Sequence, residues 1–159
     1  MKQADPFRRV LKGKVVIVGV GNILRGDDGL GPMLVERLKD KVQALCINAG
    51  SVLENYLGKI IKSQPDTVLL IDAVHLGLEP GAYEMVEAAE IEQTGLSTHD
   101  ISPRLLLDLL GMSIRGKIFL LGIQPQQLGL GNGVSRRIKE TLLELEQRIV
   151  GALIKKKME

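Results

Sequence analysis

The stretch from Val15 to Gly31, VVIVGVGNILRGDDGLG, decides how this chain folds. Its first part, Val15–Val20, is an almost unbroken run of branched apolar residues, which is typical of a strand covered on both faces of a parallel sheet. Glycines end the run, and two adjacent acids, Asp27 and Asp28, precede a helix that Pro32 can open in its first turn. The succession of strand, glycine-rich turn and helix indicates the first unit of a doubly wound α/β fold.

Apolar runs and helical patterns alternate along the rest of the chain. Three further runs are apolar enough to be strands of the same parallel sheet: Ala44–Asn48, Thr67–Ile71 and Ile118–Ile123. A weaker run, Ala82–Val86, follows the turn signal Glu79-Pro80-Gly81 and is predicted to be an antiparallel edge strand. One helix is predicted to have Pro32 in its first turn and to run through Lys39. Others are predicted at Leu53–Lys62, from Ser102-Pro103 onward, and from Arg136 to about Ile154. The pattern predicts one α/β domain over residues 1–159, a three-layer, doubly wound, mostly parallel twisted sheet of about five strands flanked by helices.

The composition excludes several classes of protein. With 159 residues, 45% of them hydrophobic and 25% charged, the chain has the make-up of an ordinary globular domain, and we expect a monomer. The net charge of +2 is too small for a nucleic-acid footprint, and no apolar stretch has the length of a membrane span. Basic residues cluster at Arg8-Arg9 and Lys155–Lys157, which we interpret as solvated tails. No signal-peptide core follows the basic N-terminus, so we expect a cytoplasmic protein.

The glycine-rich turn after the first strand departs from a nucleotide-binding loop. Leu24 stands where the dinucleotide fingerprint needs its third glycine. A pyrophosphate also needs a helix N-terminus without negative charge, whereas Asp27 and Asp28 would repel it. Two adjacent acids on such a turn suit a cation better. The ordinary alternative is that an aspartate caps the following helix, and we expect this for at least one of the pair.

Three polar side chains are predicted to meet at one edge of the sheet. Ligands of open parallel sheets bind outside the carboxyl ends of the strands, where strand order reverses. If the first three strands lie in the order 2-1-3, Asp28 and Asp72 follow the two strands that flank this point. His99 lies in the loop before the Ser102 helix and could fold over the same crevice. Two carboxylates and an imidazole suit a divalent metal, although each residue could also be a structural cap or an ordinary surface residue.

Other chemical arrangements have little support in the sequence. The chain lacks a His-Glu-x-x-His helix and a Gly-x-Ser-x-Gly elbow, and Ser51 has no evident base. Cys46 is the only cysteine, so no internal disulfide forms, and its apolar run predicts a buried, inert thiol. His75, three residues after Asp72, is interpreted as a surface residue near the site.

These residues, taken in order, resemble the hydrogenase maturation endopeptidases. The matching segments run from the first strand to about Pro125: Val18-Gly19-Val20-Gly21-Asn22, Gly26-Asp27-Asp28-Gly29-Leu30-Gly31-Pro32, Leu70-Ile71-Asp72-Ala73, Gly77-Leu78-Glu79-Pro80-Gly81, Ser97-Thr98-His99 and Leu121-Gly122-Ile123-Gln124-Pro125. The segments that contain Glu79 and Gln124 look closest to the formate-hydrogenlyase branch of the family. One departure is Asn48-Ala49-Gly50-Ser51, where the family often has Asp-Gly-Gly, and it puts substrate contacts of that loop in doubt.

The resemblance implies an activity, a partner and a site. The enzyme would remove a C-terminal extension from the precursor of a nickel–iron hydrogenase large subunit by one cut, after nickel insertion. The family's metal-binding and catalytic residues carry over to Asp28, Asp72 and His99, and Asp27 would be a neighbour rather than a ligand. The nickel would come with the substrate protein.

The hypothesis is that docking of this nickel against the three side chains reports that insertion is complete. The metal, or a carboxylate beside it, would then activate a water, making the enzyme an aspartic or metal-dependent peptidase. One alternative is a hydrolase with a permanently bound zinc or nickel ion. Another is a nickel-binding carrier or chaperone module without proteolytic activity.

Overall fold

The computed structural model describes residues 5–90 and 103–154. The helices in these ranges are α1 (Pro6–Val10), α2 (Leu30–Leu38), α3 (Leu57–Lys62), α4 (Pro103–Ser113) and α5 (Arg136–Leu153). The strands are β1 (Val15–Val20), β2 (Leu45–Gly50), β3 (Thr67–Ala73), β4 (Tyr83–Glu87) and β5 (Lys117–Ile123). Short 3-10 helical turns cover Gly26–Gly29, Leu53–Tyr56 and Ala88–Glu90. Among the described helices, none has the length and apolar character needed to cross a membrane.

The strands form one sheet in the order β2-β1-β3-β5-β4. The neighbours β2, β1, β3 and β5 run parallel, and β4 pairs antiparallel with β5 at the edge. The predicted mostly parallel sheet and its antiparallel edge strand are therefore confirmed. Because β1 lies between β2 and β3, strand order reverses there, and the carboxyl ends of β1 and β3 border the crevice in which such folds bind ligands.

Helices cover both faces of the sheet and create the predicted three layers. On one face, α1, α2 and α5 pack over residues that include Ile17, Leu69 and Leu121. On the other face, α3 and α4 pack over the alternate residues, such as Val16 and Val68. Successive residues of the central strands thus enter two different apolar layers, which explains why runs such as Val15–Val18 and Val68–Ile71 contain no polar residue.

Several elements differ in extent from the predictions. Helix α2 has Pro32 in its first turn, as predicted, but it ends at Leu38, one residue before the predicted end. The helix predicted at Leu53–Lys62 is a 3-10 turn followed by α3. Strand β2 is shifted towards its carboxyl end, and the thiol of Cys46 is half-buried rather than fully buried.

Helix α1 is absent from the sequence predictions because a tertiary contact stabilises it. Asp5 caps it by accepting a hydrogen bond from the Phe7 amide at 2.8 Å, and Phe7 is buried in the layer that α5 covers. Isolated helices of this length are unstable in water, so this burial supplies the stability. Arg8-Arg9 are exposed, as expected of a solvated cluster, but they lie on α1 and not in a tail. Lys155–Lys157 lie outside the described residues.

Glu146 of α5 joins this helix to α2 and the residues after it. Its Oε2 accepts a hydrogen bond from Arg37 Nε at 2.8 Å, and its Oε1 accepts one from Lys41 Nζ at 2.6 Å. Burial raises the pKa of this carboxyl, but the hydrogen bonds from the two cations outweigh burial, and the pKa lies below its ordinary value of 4.5. A depressed pKa means that the stabilisation is present above the unfolded-state pKa and is lost as the pH falls through the folded-state pKa.

We therefore expect Glu146→Gln to lower the free energy of unfolding by about 1–2 kcal/mol at pH 7. The difference from the wild type should shrink as the pH falls below the ordinary carboxyl pKa, because the wild-type carboxyl is then also neutral. Urea denaturation at neutral and acidic pH measures both values. The control is Glu140→Gln, whose exposed pair with Arg136 at 3.6 Å should contribute less than about 1 kcal/mol. An equal loss for Glu146→Gln at both pH values would contradict a role for its charge.

Candidate functional site

The site is built where α2 meets the carboxyl ends of β1 and β3. Gly31, in the first turn of α2, lies so close to both strands that a Cβ there would collide with the Ile71 carbonyl oxygen and lie 2.6 Å from that of Val20. Gly19 of β1 faces the carbonyl of Gly31 with equally little room. The helix can therefore start directly against the strand ends only because both positions are glycine. The close packing of α2 against the strand ends brings the 3-10 turn Gly26–Gly29 into contact with β3.

Asp28 is buried in that 3-10 turn, with 5% of its surface exposed. Its Oδ2 accepts a hydrogen bond of 2.8 Å from the amide of Asn22, which is just beyond β1. Gly21, between the strand and Asn22, has a φ of +142° and packs against the Asp28 carbonyl, where a Cβ would not fit. The conformation of the glycine turn therefore holds the Asp28 carboxylate at the end of β1.

Asp72 occupies the corresponding position at the end of β3. It pairs with Gly122 of β5, and 9% of its surface is exposed. Its Oδ1 accepts a hydrogen bond of 2.8 Å from the amide of Ala73. The structure thus brings Asp28, in the turn after β1, and Asp72, near the end of β3, to the edge where strand order reverses. Each of the two carboxylates also accepts a hydrogen bond from a backbone amide, which is a structural role in addition to its position in the crevice.

Of the two histidines, His75 lies within the described residues and His99 does not. His99 lies outside the described residues, so its predicted place beside Asp28 and Asp72 stays a prediction. His75 is exposed, as predicted. Over residues 5–90 and 103–154, no group of three or more His, Cys, Asp or Glu could hold a metal ion. A three-ligand site at this edge therefore needs a ligand from outside these ranges, such as His99, or from the substrate.

Asp27 has a different role from its neighbour. It is completely buried, and its carboxylate accepts hydrogen bonds from Gln126 N at 2.8 Å and Gln127 N at 3.0 Å. It also accepts bonds from the amide of Ser135 at 2.6 Å and the hydroxyl of Ser135 at 3.0 Å. Three of these donors bind Oδ2 and the Ser135 amide binds Oδ1, so both oxygens of the buried carboxylate are hydrogen-bonded. Asp27 therefore fastens the loop after β5 to the turn that carries Asp28, and it does not cap its own helix.

Replacing this buried carboxylate should destabilise the loop. Asp27→Asn places an NH2 group against backbone amides that need an acceptor, and we expect a loss of about 2–3 kcal/mol in the free energy of unfolding. Ser135→Ala removes one bond of the four and should cost about 1 kcal/mol. Urea denaturation midpoints give both values. A midpoint of Asp27→Asn equal to that of the wild type would mean that the carboxylate does not hold the loop.

Gln124 is a further polar residue at this edge, and the sequence patterns did not predict its role. It follows β5 at the same edge, and its side-chain Oε1 accepts a hydrogen bond of 2.6 Å from the amide of Leu76. Its backbone amide donates to Ala82 O at 2.8 Å, and its carbonyl accepts from Gly81 N at 2.9 Å. Gln124 therefore holds the segment that follows Asp72. The sequence signal that could have indicated this role is a polar Gln, followed by Pro, directly after a buried strand.

The loop in which this chain departs from the family pattern is also tied to the site. Asn48 Oδ1 accepts a hydrogen bond from Gly50 N at 3.1 Å, and its Nδ2 donates to Glu36 Oε1 at 3.3 Å. The carbonyl of Gly50 accepts the Gly21 amide at 2.8 Å, next to the turn that positions Asp28. Asn48 thus supports the turn by local hydrogen bonds, without placing a carboxylate there.

Two buried carboxylates at the mouth of a parallel sheet can do two kinds of chemistry. Their oxygens are good ligands for a divalent cation, particularly if an imidazole completes the set. A carboxylate can also accept a proton from a water that attacks a carbonyl carbon. The donor set therefore fits a metal that a bound substrate presents at this edge.

Comparisons with known proteins show the family to which this chain is similar. Residues 31–152 match the family model HycI, described as hydrogenase maturation protease. The hydrogenase 3 maturation protease of Escherichia coli K12 is 34% identical over 139 residues, which are 86% of this chain and 88% of that protein. The crystal structure of a NiFe hydrogenase maturation protease HycI from Thermococcus kodakarensis superposes with a TM-score of 0.86 at 34% identity, over 94% of this chain and 99% of that one. The hydrogenase maturating endopeptidase HybD from E. coli, 22% identical with a TM-score of 0.73 over 88% and 91% of the two chains, shares the fold.

Proposed function

Because this chain belongs to the hydrogenase maturation protease family, in its HycI branch, we propose that it removes the C-terminal extension of a nickel–iron hydrogenase large-subunit precursor. The sequence motifs indicate the same family and branch. The observation that carries the proposal is the placement of Asp28 and Asp72 together at the reversal of strand order, each held by a backbone amide. We further propose that cleavage follows nickel insertion, in the cytoplasm and by a monomer.

The proposed recognition step uses nickel that belongs to the precursor. Asp28, Asp72 and His99 accept this nickel while the precursor's own thiolates still hold it. The carboxylates suit the step because they are preformed and buried, so little reorganisation is needed when the cation arrives. Only a precursor that carries the metal can neutralise the two carboxylates, and the site therefore reports that insertion is complete.

The proposed chemical step is the hydrolysis of one peptide bond. A carboxylate at the site takes a proton from a water, and the water oxygen forms a bond to the scissile carbonyl carbon. The tetrahedral intermediate then collapses, the carbon–nitrogen bond breaks, and the proton is delivered to the leaving amine. The metal presented by the precursor polarises the reacting groups and lowers the pKa of the attacking water.

Nickel dependence is the experiment that tests the proposed function. Purified large-subunit precursor, nickel-loaded or nickel-free, is incubated with the enzyme and analysed by mass spectrometry. We expect one defined C-terminal peptide from the loaded precursor and none from the nickel-free form, even at high enzyme concentration. Cleavage of the nickel-free precursor would refute recognition through the metal.

The same experiment separates the alternative functions. Stoichiometric nickel binding without any peptide release would instead support a carrier or chaperone. One tightly held metal in the purified enzyme would support a hydrolase with a resident ion.

A further inference from the structure

The loops that follow β1 and β5 are held together as one unit at the site edge. The Gly131 amide donates to the Leu24 carbonyl at 3.1 Å, and the Asp27 amide donates to the Gln127 carbonyl at 2.8 Å. The Asp27 carboxylate adds its four bonds to residues 126–135. We call residues 22–29 and 126–135 together the two-loop platform.

The two-loop platform exposes three large apolar side chains. The exposed fractions are 66% for Ile23, 67% for Leu24 and 74% for Leu130. The Gly131–Leu24 hydrogen bond brings Leu130 and Leu24 together although they are far apart in the sequence. Single exposed apolar residues are ordinary, but a group of them on one rigid unit is typical of an interaction surface.

This apolar group is continuous with the proposed catalytic edge. Ile23 follows Asn22, whose amide holds the Asp28 carboxylate, and it packs beside Gly29, where a Cβ would lie 3.0 Å from the Ile23 Cα. These side chains therefore lie beside the turn that carries Asp28, to which a protein substrate would bring its peptide bond. The hydrogen bonds already order both loops, so little conformational entropy is lost when a partner binds.

We propose that Ile23, Leu24 and Leu130 form the docking surface for an apolar patch of the large-subunit precursor, next to the bond that is cut. This inference rests on the proposed function and adds the surface by which the same partner is held. Removal of these exposed apolar side chains from water against an apolar patch of the partner favours association. The surface contributes to binding of the precursor and takes no part in proton transfer or bond cleavage.

The test compares Leu24→Ser/Leu130→Ser with Met112→Ser as a matched control. Met112 is 86% exposed and lies near the end of α4, which leads to the amino end of β5, at the opposite edge of the sheet. We expect the double variant to raise KM for the nickel-loaded precursor about 10- to 100-fold with kcat changed less than about threefold. The control should keep both constants. All replaced side chains are exposed, and thermal melting verifies that the variants fold.

Binding of the immobilised precursor, measured by biolayer interferometry, separates failure of docking from failure of the proposed function. A dissociation constant at least tenfold higher for the double variant than for the wild type supports the docking surface even if no peptide is released. In that case only the proposed proteolysis fails. Equal binding by the double variant and the wild type, or an unchanged KM, overturns the docking surface.

Discussion

Asp28→Asn lowers kcat/KM for the nickel-loaded precursor by about 10²–10⁴-fold, the range that loss of a general base produces. The amide has the size of the carboxylate, and its oxygen can still accept the Asn22 amide, so the turn keeps its structure. What disappears is the negative charge that would face the cation and the group that would take a proton from water. The measurement is the rate of peptide release, followed by mass spectrometry.

Asp72→Asn should have an effect of similar size, because Asp72 lies at the same edge, near the carboxyl end of β3. Residues that act as one unit are not additive, so the double variant should be little worse than either single one. The matched control is Asp40→Asn, which makes the same chemical change at an exposed position with a φ of +68°, a conformation that asparagine tolerates. A wild-type rate for Asp28→Asn, in a protein that melts normally, would remove Asp28 from the catalytic site.

Gly31→Ala destabilises the fold by about 3–5 kcal/mol, at the upper end of single substitutions. The new Cβ would collide with the Ile71 carbonyl and press on Val20, and these atoms belong to the backbone of two buried central strands. Neither strand can yield without disturbing both apolar layers, and close-packed interiors transmit such strain. The first turn of α2 would have to move away from the strand ends, and the turn that carries Asp28 would move with it.

Urea denaturation of Gly31→Ala and of Gly58→Ala measures this effect. Gly58 lies in α3 with no atom within 4 Å of the position of a Cβ, so alanine there should be neutral or stabilising by up to about 1 kcal/mol. The pair separates a steric collision from the general effect of replacing a helical glycine. A Gly31→Ala protein as stable as the wild type would mean that the position of α2 does not depend on close packing of Gly31 against β1 and β3.

The strands of this fold could be predicted well because their pattern has a direct physical cause. β1, β3 and β5 are covered on both faces, so every residue of a run such as Val15–Val18 must be apolar. β4 was predictable from the preceding turn signal and its weaker run. α1 was not, since its five residues have little stability of their own and depend on the burial of Phe7 against another layer.

By itself, the sequence determined the strand runs, the glycine turn and the placing of Asp28 and Asp72 at the carboxyl ends of two central strands. The family resemblance made Asp28 the ligand and Asp27 its neighbour, but the role of Asp27 could not be predicted, because its hydrogen-bond donors are distant in the sequence. Tertiary structure decided this: the donors to Asp27 lie 99 to 108 residues further along the chain, while Asp28 is held by Asn22, six residues before it. The apolar surface formed by Leu24 and Leu130 has the same origin, since only the folded sheet brings the loops after β1 and β5 together.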